Sequence, residues 1–302
     1  MTPFYWKKIT EHLVLVALVT TWRGLAISLV ADSLPIARST LQLTVLRFNE
    51  LLVKGYHQQE ASDEGPRPIK FILDETYTWR KIAPSCRLDP ETLKMDDYTV
   101  KKVTRGLKIK MTRGRLKALT CVMGALVIFP DRPSRLYLDV PRFGGFTRDA
   151  LKKMLGTLIK VHGRPKKCWT DGHEFYEDVV PGLDMAHERV IHEKEFVTSD
   201  GVTTNGIEGW WSEFKRWLRE IKSFKTWRTF RLNVMAWGIT RHLGIEEAVE
   251  LMKRGSIMEM EKSHHGQGLV IIIQCFLDVT RWAAHVQETL DGRDEGQHGF
   301  KQ

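Results

Sequence analysis

Apolar residues recur at helical spacing from Ile9 to Gly55, interrupted at Pro35, and the pattern predicts a helix on either side of that break. Ser39 and Thr40 stand where a cap would open the second helix, with Leu41, Leu43, Val45 and Leu46 as its buried face. The polar stretch "HQQEASDEGPRP", His57 to Pro68, reads as a linker. After it the period changes. "IKFILDETY", "LTCVMGALVIF" and "RLYLDV" are apolar runs rich in strand formers, and the turn "PDRPS" separates the last two. An amphipathic helix "TRDALKKMLGTLIKVHG", a strand "KKCWTD", a short helix around "EFYEDVV", a strand at "ERVIHE" and a long helix from about Gly206 follow. Beyond His242 two more helices are predicted, near "IEEAVELMK" and "LVIIIQCFLDVTRWAAHVQETL", before a charged tail from Asp291 that is expected to be disordered.

Three consecutive strands followed by helix, strand, helix, strand, helix imply an α/β fold, a mixed sheet covered by helices. The same order occurs in ribonuclease-H-like nucleases and integrases, a likeness of fold that gives no function by itself. The expected organisation is a helical region at 1–56, a linker at 57–68, the α/β domain at 69–242 and a helical extension with its tail at 243–302. The break at Pro35 fits a helix-turn-helix whose second helix enters a major groove, or two packed helices with no DNA role.

Composition narrows the classes. With 42% hydrophobic and 27% charged residues, the 302-residue chain has the make-up of a globular protein rather than a disordered or membrane-embedded one. The apolar run near the amino terminus is broken by Arg23 and is too short to span a bilayer. Its four cysteines form no CxxC pair, so neither a disulfide scaffold nor a zinc site is implied, and an intracellular setting is expected. The net charge of +9 favours a polyanionic partner. "VKKVTRGLKIKMTRGRLK", Val100 to Lys117, holds eight basic residues and no acid, a density suited to phosphates and also to a solvated loop. Lys108, Lys110, Arg113 and Arg115 are its candidate DNA contacts.

The candidate chemistry lies in three acids. Asp74 closes the first strand, Asp171 closes "KKCWTD", and Glu208 sits in the first turn of the long helix. Acids at the ends of neighbouring strands converge, and a third from a helix on the same sheet can complete a cage for divalent cations. On that helix Glu208, Ser212, Lys215, Arg219 and Lys222 fall within about an 80° arc, with Ile207, Trp211, Phe214, Trp217, Leu218 and Ile221 on the flank and back. One stripe is cationic and the other is core. An ordinary solvated face, with Glu208 pairing to Ser212 or Lys215, gives the same pattern.

"TTNGIEGWWSEFKR", with "LDET" upstream, "TDGHEFY" between and "RLNVMAWGITR" downstream, resembles the transposase domain of the Merlin superfamily and its bacterial insertion-sequence relatives, a group of DDE transposases. The likeness runs from about Ile69 to His242, and the close spacing of the last two acids also fits it. It implies Asp74, Asp171 and Glu208 as catalytic metal ligands, Asn205 as a possible auxiliary, and Lys215 as a phosphate contact, with the neighbouring Arg216 and Arg219. It implies that Glu75, Thr76, Gly172, Tyr176 and Trp211 shape the site. His173, beside Asp171, is read as an orienting group rather than a base. The chain departs from the family in lacking a cysteine-rich zinc ribbon before Cys86, in carrying an added basic segment at about 82–111, and in its helices after His242.

The expected activity is DDE-type transposition, by an element still mobile or domesticated. Two Mg2+ or Mn2+ ions assist hydrolysis of one strand, and the freed 3′-hydroxyl attacks target DNA without a covalent enzyme intermediate. The expected partners are double-stranded DNA, as transposon ends and target, and further copies of the chain in the DNA complex. No membrane partner is expected. The setting would be a nucleus or, in a bacterium, the nucleoid-associated cytoplasm. Two other classes fit the same residues: a DNA-binding protein of transposase descent that no longer cuts, and a structure-specific nuclease on the same fold.

Overall fold

The computed structural model describes residues 38–59, 61, 66–81, 109–112, 115–141, 145–190, 203–220, 227–243, 247–248 and 250–255. The chain forms two compact units, Met1–Tyr56 with Leu243–Gln302, and His57–His242.

In the first unit the described core is helix α1, Arg38–Gln58. Leu41, Val45, Phe48, Leu51 and Leu52 are buried along it, but Leu43 is 69% exposed. Leu43 falls two positions from both Leu41 and Val45, about 200° around the helix from each, so it cannot share their face. Ser39 and Thr40 are already helical. The helix expected before Pro35, the partner a helix-turn-helix needs, lies outside the described residues. So does "LVIIIQCFLDVTRWAAHVQETL"; within "IEEAVELMK" residues 247, 248 and 250–253 are helical, and helix continues to 255.

The second unit is an α/β structure. Strands β1 (Lys70–Lys81), β2 (Ile109–Thr112), β3 (Arg115–Ile128), β4 (Arg135–Asp139), β5 (Lys167–Thr170) and β6 (Ala186–Arg189) make one mixed sheet. It runs β2-β3-β1-β5-β6, with β4 pairing β3 along Met123–Val127. The pairs β1–β3, β2–β3 and β3–β4 are antiparallel; β1–β5 and β5–β6 are parallel. Helices α2 (Arg148–His162), α3 (Glu174–Val179), α4 (Asn205–Glu220) and α5 (Trp227–Thr240) join these strands. Thr147 caps α2 by accepting from the Ala150 N–H, and Gly163, at φ 84°, closes it.

Apolar residues from β1, β3 and β4 (Ile72, Val122, Leu126, Leu136, Leu138, Val140) pack with α4 and α5 through Ile207, Trp211, Phe214, Trp217, Phe230, Val234 and Trp237. The helical angles of α4 sort as read for the described residues: Ser212, Lys215 and Arg219 are exposed, Glu208 is half-buried, and Ile207, Trp211, Phe214 and Trp217 are buried, whereas Ile221 and Lys222 lie outside the described residues.

Further elements of the fold depart from the periodicity. Asp74 does not close its strand, because β1 runs on to Lys81 against β3. Part of the basic segment is strand: Ile109–Thr112 pairs with Arg115–Ala118. His57 and Gln58 still belong to α1, so the polar stretch is helical at its start. The strand expected at "ERVIHE" begins earlier, at Ala186.

Candidate functional site

β1 and β5 run parallel with Ile72 opposite Trp169. Carrying that register two residues on brings Asp74, inside β1, abreast of Asp171, the first residue after β5. The carboxylates of Asp74, Glu75 and Asp171 each offer an oxygen within 4.8 Å of the others. Two of the three predicted acids are thus together, and the third member of the group is Glu75.

Each carboxylate is held from a different element. Trp211 of α4 donates its indole N–H to Asp74 Oδ2 at 2.7 Å, and the Glu75 backbone N–H donates to Asp74 Oδ1 at 2.8 Å. Tyr176 of α3 donates its hydroxyl to Glu75 Oε2 at 2.9 Å. The His173 backbone N–H donates to Asp171 Oδ1 at 3.2 Å. His173 also caps α3, its Nδ1 accepting from the Phe175 N–H, and its ring lies 4.8 Å from that of Phe146. It orients Asp171 through its backbone.

The Trp211 contact depends on a missing side chain. Gly124 of β3 is the register partner of Asp74, and a Cβ there would stand 2.5 Å from the Trp211 ring. No real Cβ tolerates such a distance. The indole therefore lies across β3 where glycine leaves room, and its N–H reaches the next strand. The apolar stripe of α4 accounts for the burial of Trp211 but not for this bond.

Burial pushes the Asp74 carboxyl up to about 6, aided by the charges of Asp171 and Glu208 and opposed by the Trp211 bond. Burial and the charges of Asp171 and Asp74 push Glu75 up to about 7 against the Tyr176 bond. Tyr176, fully enclosed, is held well above the ordinary phenol range, first by burial and then by the same acids. The site is a set of carboxylates short of positive charge. All its donors are hard oxygens, which suit Mg2+ or Mn2+.

Glu208 is in the first turn of α4, as read, and accepts from the Thr204 hydroxyl at 2.8 Å rather than pairing with Ser212 or Lys215 in that bond. It lies outside the 4.8 Å group, though Asp74 senses its charge. Asn205 opens α4 with its side chain exposed. Lys215, Arg216 and Arg219 are exposed further along it. Lys110 and Arg115 occupy β2 and β3, whereas Lys108 and Arg113 lie outside the described residues.

Glu75 was available to the sequence reading as a neighbour of Asp74 but not as its partner, since alternation sends adjacent strand residues to opposite faces. The signal was Tyr176, whose hydroxyl needs an acceptor once α3 buries it. No family model matches the chain, and no curated protein matches it. No helix among the described residues is long and apolar enough to cross a membrane.

Proposed function

We propose that this chain is a metal-dependent DNA strand-cleaving and strand-transferring enzyme of the DDE transposase kind, on a ribonuclease-H-like sheet. The observation that carries the reading is the carboxylate group of Asp74, Glu75 and Asp171 where parallel β1 and β5 part. The strand order supports it, with β4, β3 and β1 antiparallel and β5 and β6 joining parallel to β1. The motif "TNGIEGWW" with Lys215 supports the closer kinship.

Asp74, Glu75 and Asp171 would hold a divalent cation, with Glu208, whose charge acts on Asp74, as a further acid, and Mg2+ or Mn2+ would supply Lewis-acid activation of the attacking water and the leaving oxygen. The protein's own part is positioning. Trp211, Tyr176 and the His173 N–H each fix one carboxylate, so little reorganisation is needed when a phosphate arrives. Exposed Lys215, Arg216 and Arg219 on α4 offer phosphate contacts to double-stranded DNA, and a complex of several copies would bring two DNA ends together.

The test uses a supercoiled plasmid carrying the DNA that flanks the gene, with Mg2+ or Mn2+, and a labelled duplex with a free 3′-hydroxyl. The protein should nick the plasmid and join the labelled end to it. Asp171→Asn should abolish both while leaving DNA affinity unchanged or slightly higher, because it removes a charge that repels phosphate. Normal nicking by Asp171→Asn sinks the metal-site assignment. Nicking without joining makes the chain a nuclease, and DNA binding with neither makes it a binding protein.

A further inference from the structure

Past the acids β1 loses a neighbour. Strand β5 pairs only with Lys70–Ile72, whereas β3 stays paired to β1 as far as Lys81. From Thr76 outward the sheet narrows to a ribbon of β1 and β3, widened by the short β2. Alternation along β1 sets Glu75, Tyr77 and Trp79 on one face of that ribbon, at steps of about 7 Å. Tyr77 is 47% exposed and Trp79 37% exposed.

Large exposed apolar side chains are few here. Among the described residues there are four, and two of them are these neighbours leading away from the acids. Tyr77 is also tied to the site. Its hydroxyl shares a hydrogen bond with Cys121, its register partner. Beyond Trp79 the register sets Lys81, Lys117 and Lys110 abreast across the three strands.

A flat sheet face with two aromatic rings one alternation step apart, followed by a row of lysines, suits bases whose faces are open and a backbone that is anionic. Paired bases cover their faces against each other and offer only edges. We infer that the β1–β3–β2 ribbon is a platform for unpaired nucleotides of the DNA strand entering the acid site, with Tyr77 and Trp79 stacking successive bases where the register of the strands turns basic. This rests on the proposed strand cleavage for the purpose of the platform, and not for the binding itself.

Binding can be measured on the full-length protein in EDTA, where nothing is cut. The probes are a blunt DNA hairpin, the same hairpin with a short 3′ oligo-dT tail, and one with an oligo-U RNA tail. The dT tail should tighten binding. Trp79→Ala and Tyr77→Ala should each weaken the tailed complex by about tenfold and leave the blunt one unchanged, while Trp79→Phe, which keeps a ring, should retain most of the affinity. A tail containing iododeoxyuridine should crosslink to the peptide bearing Tyr77 and Trp79 in the unsubstituted protein, which tests the contact even where a variant folds poorly. No gain from the tail, equal loss on both probes, or crosslinks confined to other peptides overturns the platform, and a tighter RNA tail overturns its assignment to DNA. A protein that shows the tail-specific loss but never nicks DNA would retire the cleavage reading and leave this one standing.

Discussion

Asp74 shows how much one side chain can be fixed by residues distant in sequence. Its acceptor geometry is set by Trp211, and the place of Trp211 is set by the missing Cβ of Gly124. Trp211→Phe keeps an aromatic ring in the core but removes the donor and part of the buried ring. Losing a hydrogen bond to a charged group costs on the order of 2 kcal/mol, so nicking should fall by tenfold or more, half-saturation should need more Mn2+, and Tm should fall by several degrees. Gly124→Ala should give the same functional loss together with a lower Tm, because the ring has no free space to enter. A Mn2+ titration of nicking beside thermal melts decides it; a Trp211→Phe protein with the unsubstituted Mn2+ dependence would make the bond incidental. None of this was legible from periodicity. Apolar spacing gives the face on which Trp211 lies, but a donor's partner depends on which strand it crosses. The approach of Asp74 and Asp171 was legible because each acid sits in or directly after an apolar strand run, and neighbouring parallel strands bring such positions together. Glu75 was not, because its inclusion requires Asp171 to sit off the end of β5, where alternation no longer separates the faces.

Among the elements, those with a clean period were readable: α2 with its Thr147 cap, the long strands β1 and β3, and the two-faced α4. Strand β2, four residues with a single lysine, is too short for a period to emerge, and pairing with Arg115–Ala118 specifies it instead. Helix α5 was not separated from α4 because Phe230 and Val234 to Ile239 are buried almost without interruption, which blurs any polar face. In the helical unit an ordinary side chain is excluded at two points. A Cβ on Gly55 would stand 1.7 Å from the Leu251 carbonyl oxygen, and one on Gly255 would stand 2.2 Å from that of Leu51. Helical residues 250–255 therefore cross α1 backbone to backbone. Gly55→Ala or Gly255→Ala should push the helices apart and cost about 1–3 kcal/mol. The loss should appear in melts that follow this unit, with the nicking rate of the second unit kept; if both variants melt as the parent does, the close crossing is not needed.

Across the α/β unit as a whole, two sets of buried titratable groups pull stability in opposite directions. Burial holds His57 down at about 4, His162 at about 3 and His242 at about 4. Groups lowered in this way contribute stability that is present above about pH 6.5 and is lost as pH falls towards 4. Asp74 and Glu75 are raised, to about 6 and about 7, so their contribution is present below about pH 4 and is lost as pH rises through 6 to 7. Without metal the acid site is therefore a liability at neutral and alkaline pH, on the order of 3 kcal/mol for Glu75 alone. Glu75→Gln keeps an acceptor for Tyr176 and cannot ionise. In EDTA at pH 8 it should melt about 6–12 °C above the unsubstituted protein, and the gap should close as pH falls below about 4, where Glu75 is protonated in both states. Mg2+ or Mn2+ should reverse the order at pH 8, because a cation compensates the three carboxylates it binds and has less to gain from two. Proton release also ties the two effects together: cation affinity should climb between about pH 6 and pH 7.5 and then level off. A Glu75→Gln advantage that is the same at every pH would place its origin in packing rather than charge. Equal metal stabilisation of both proteins would remove Glu75 from the ligands and return the third place to Glu208.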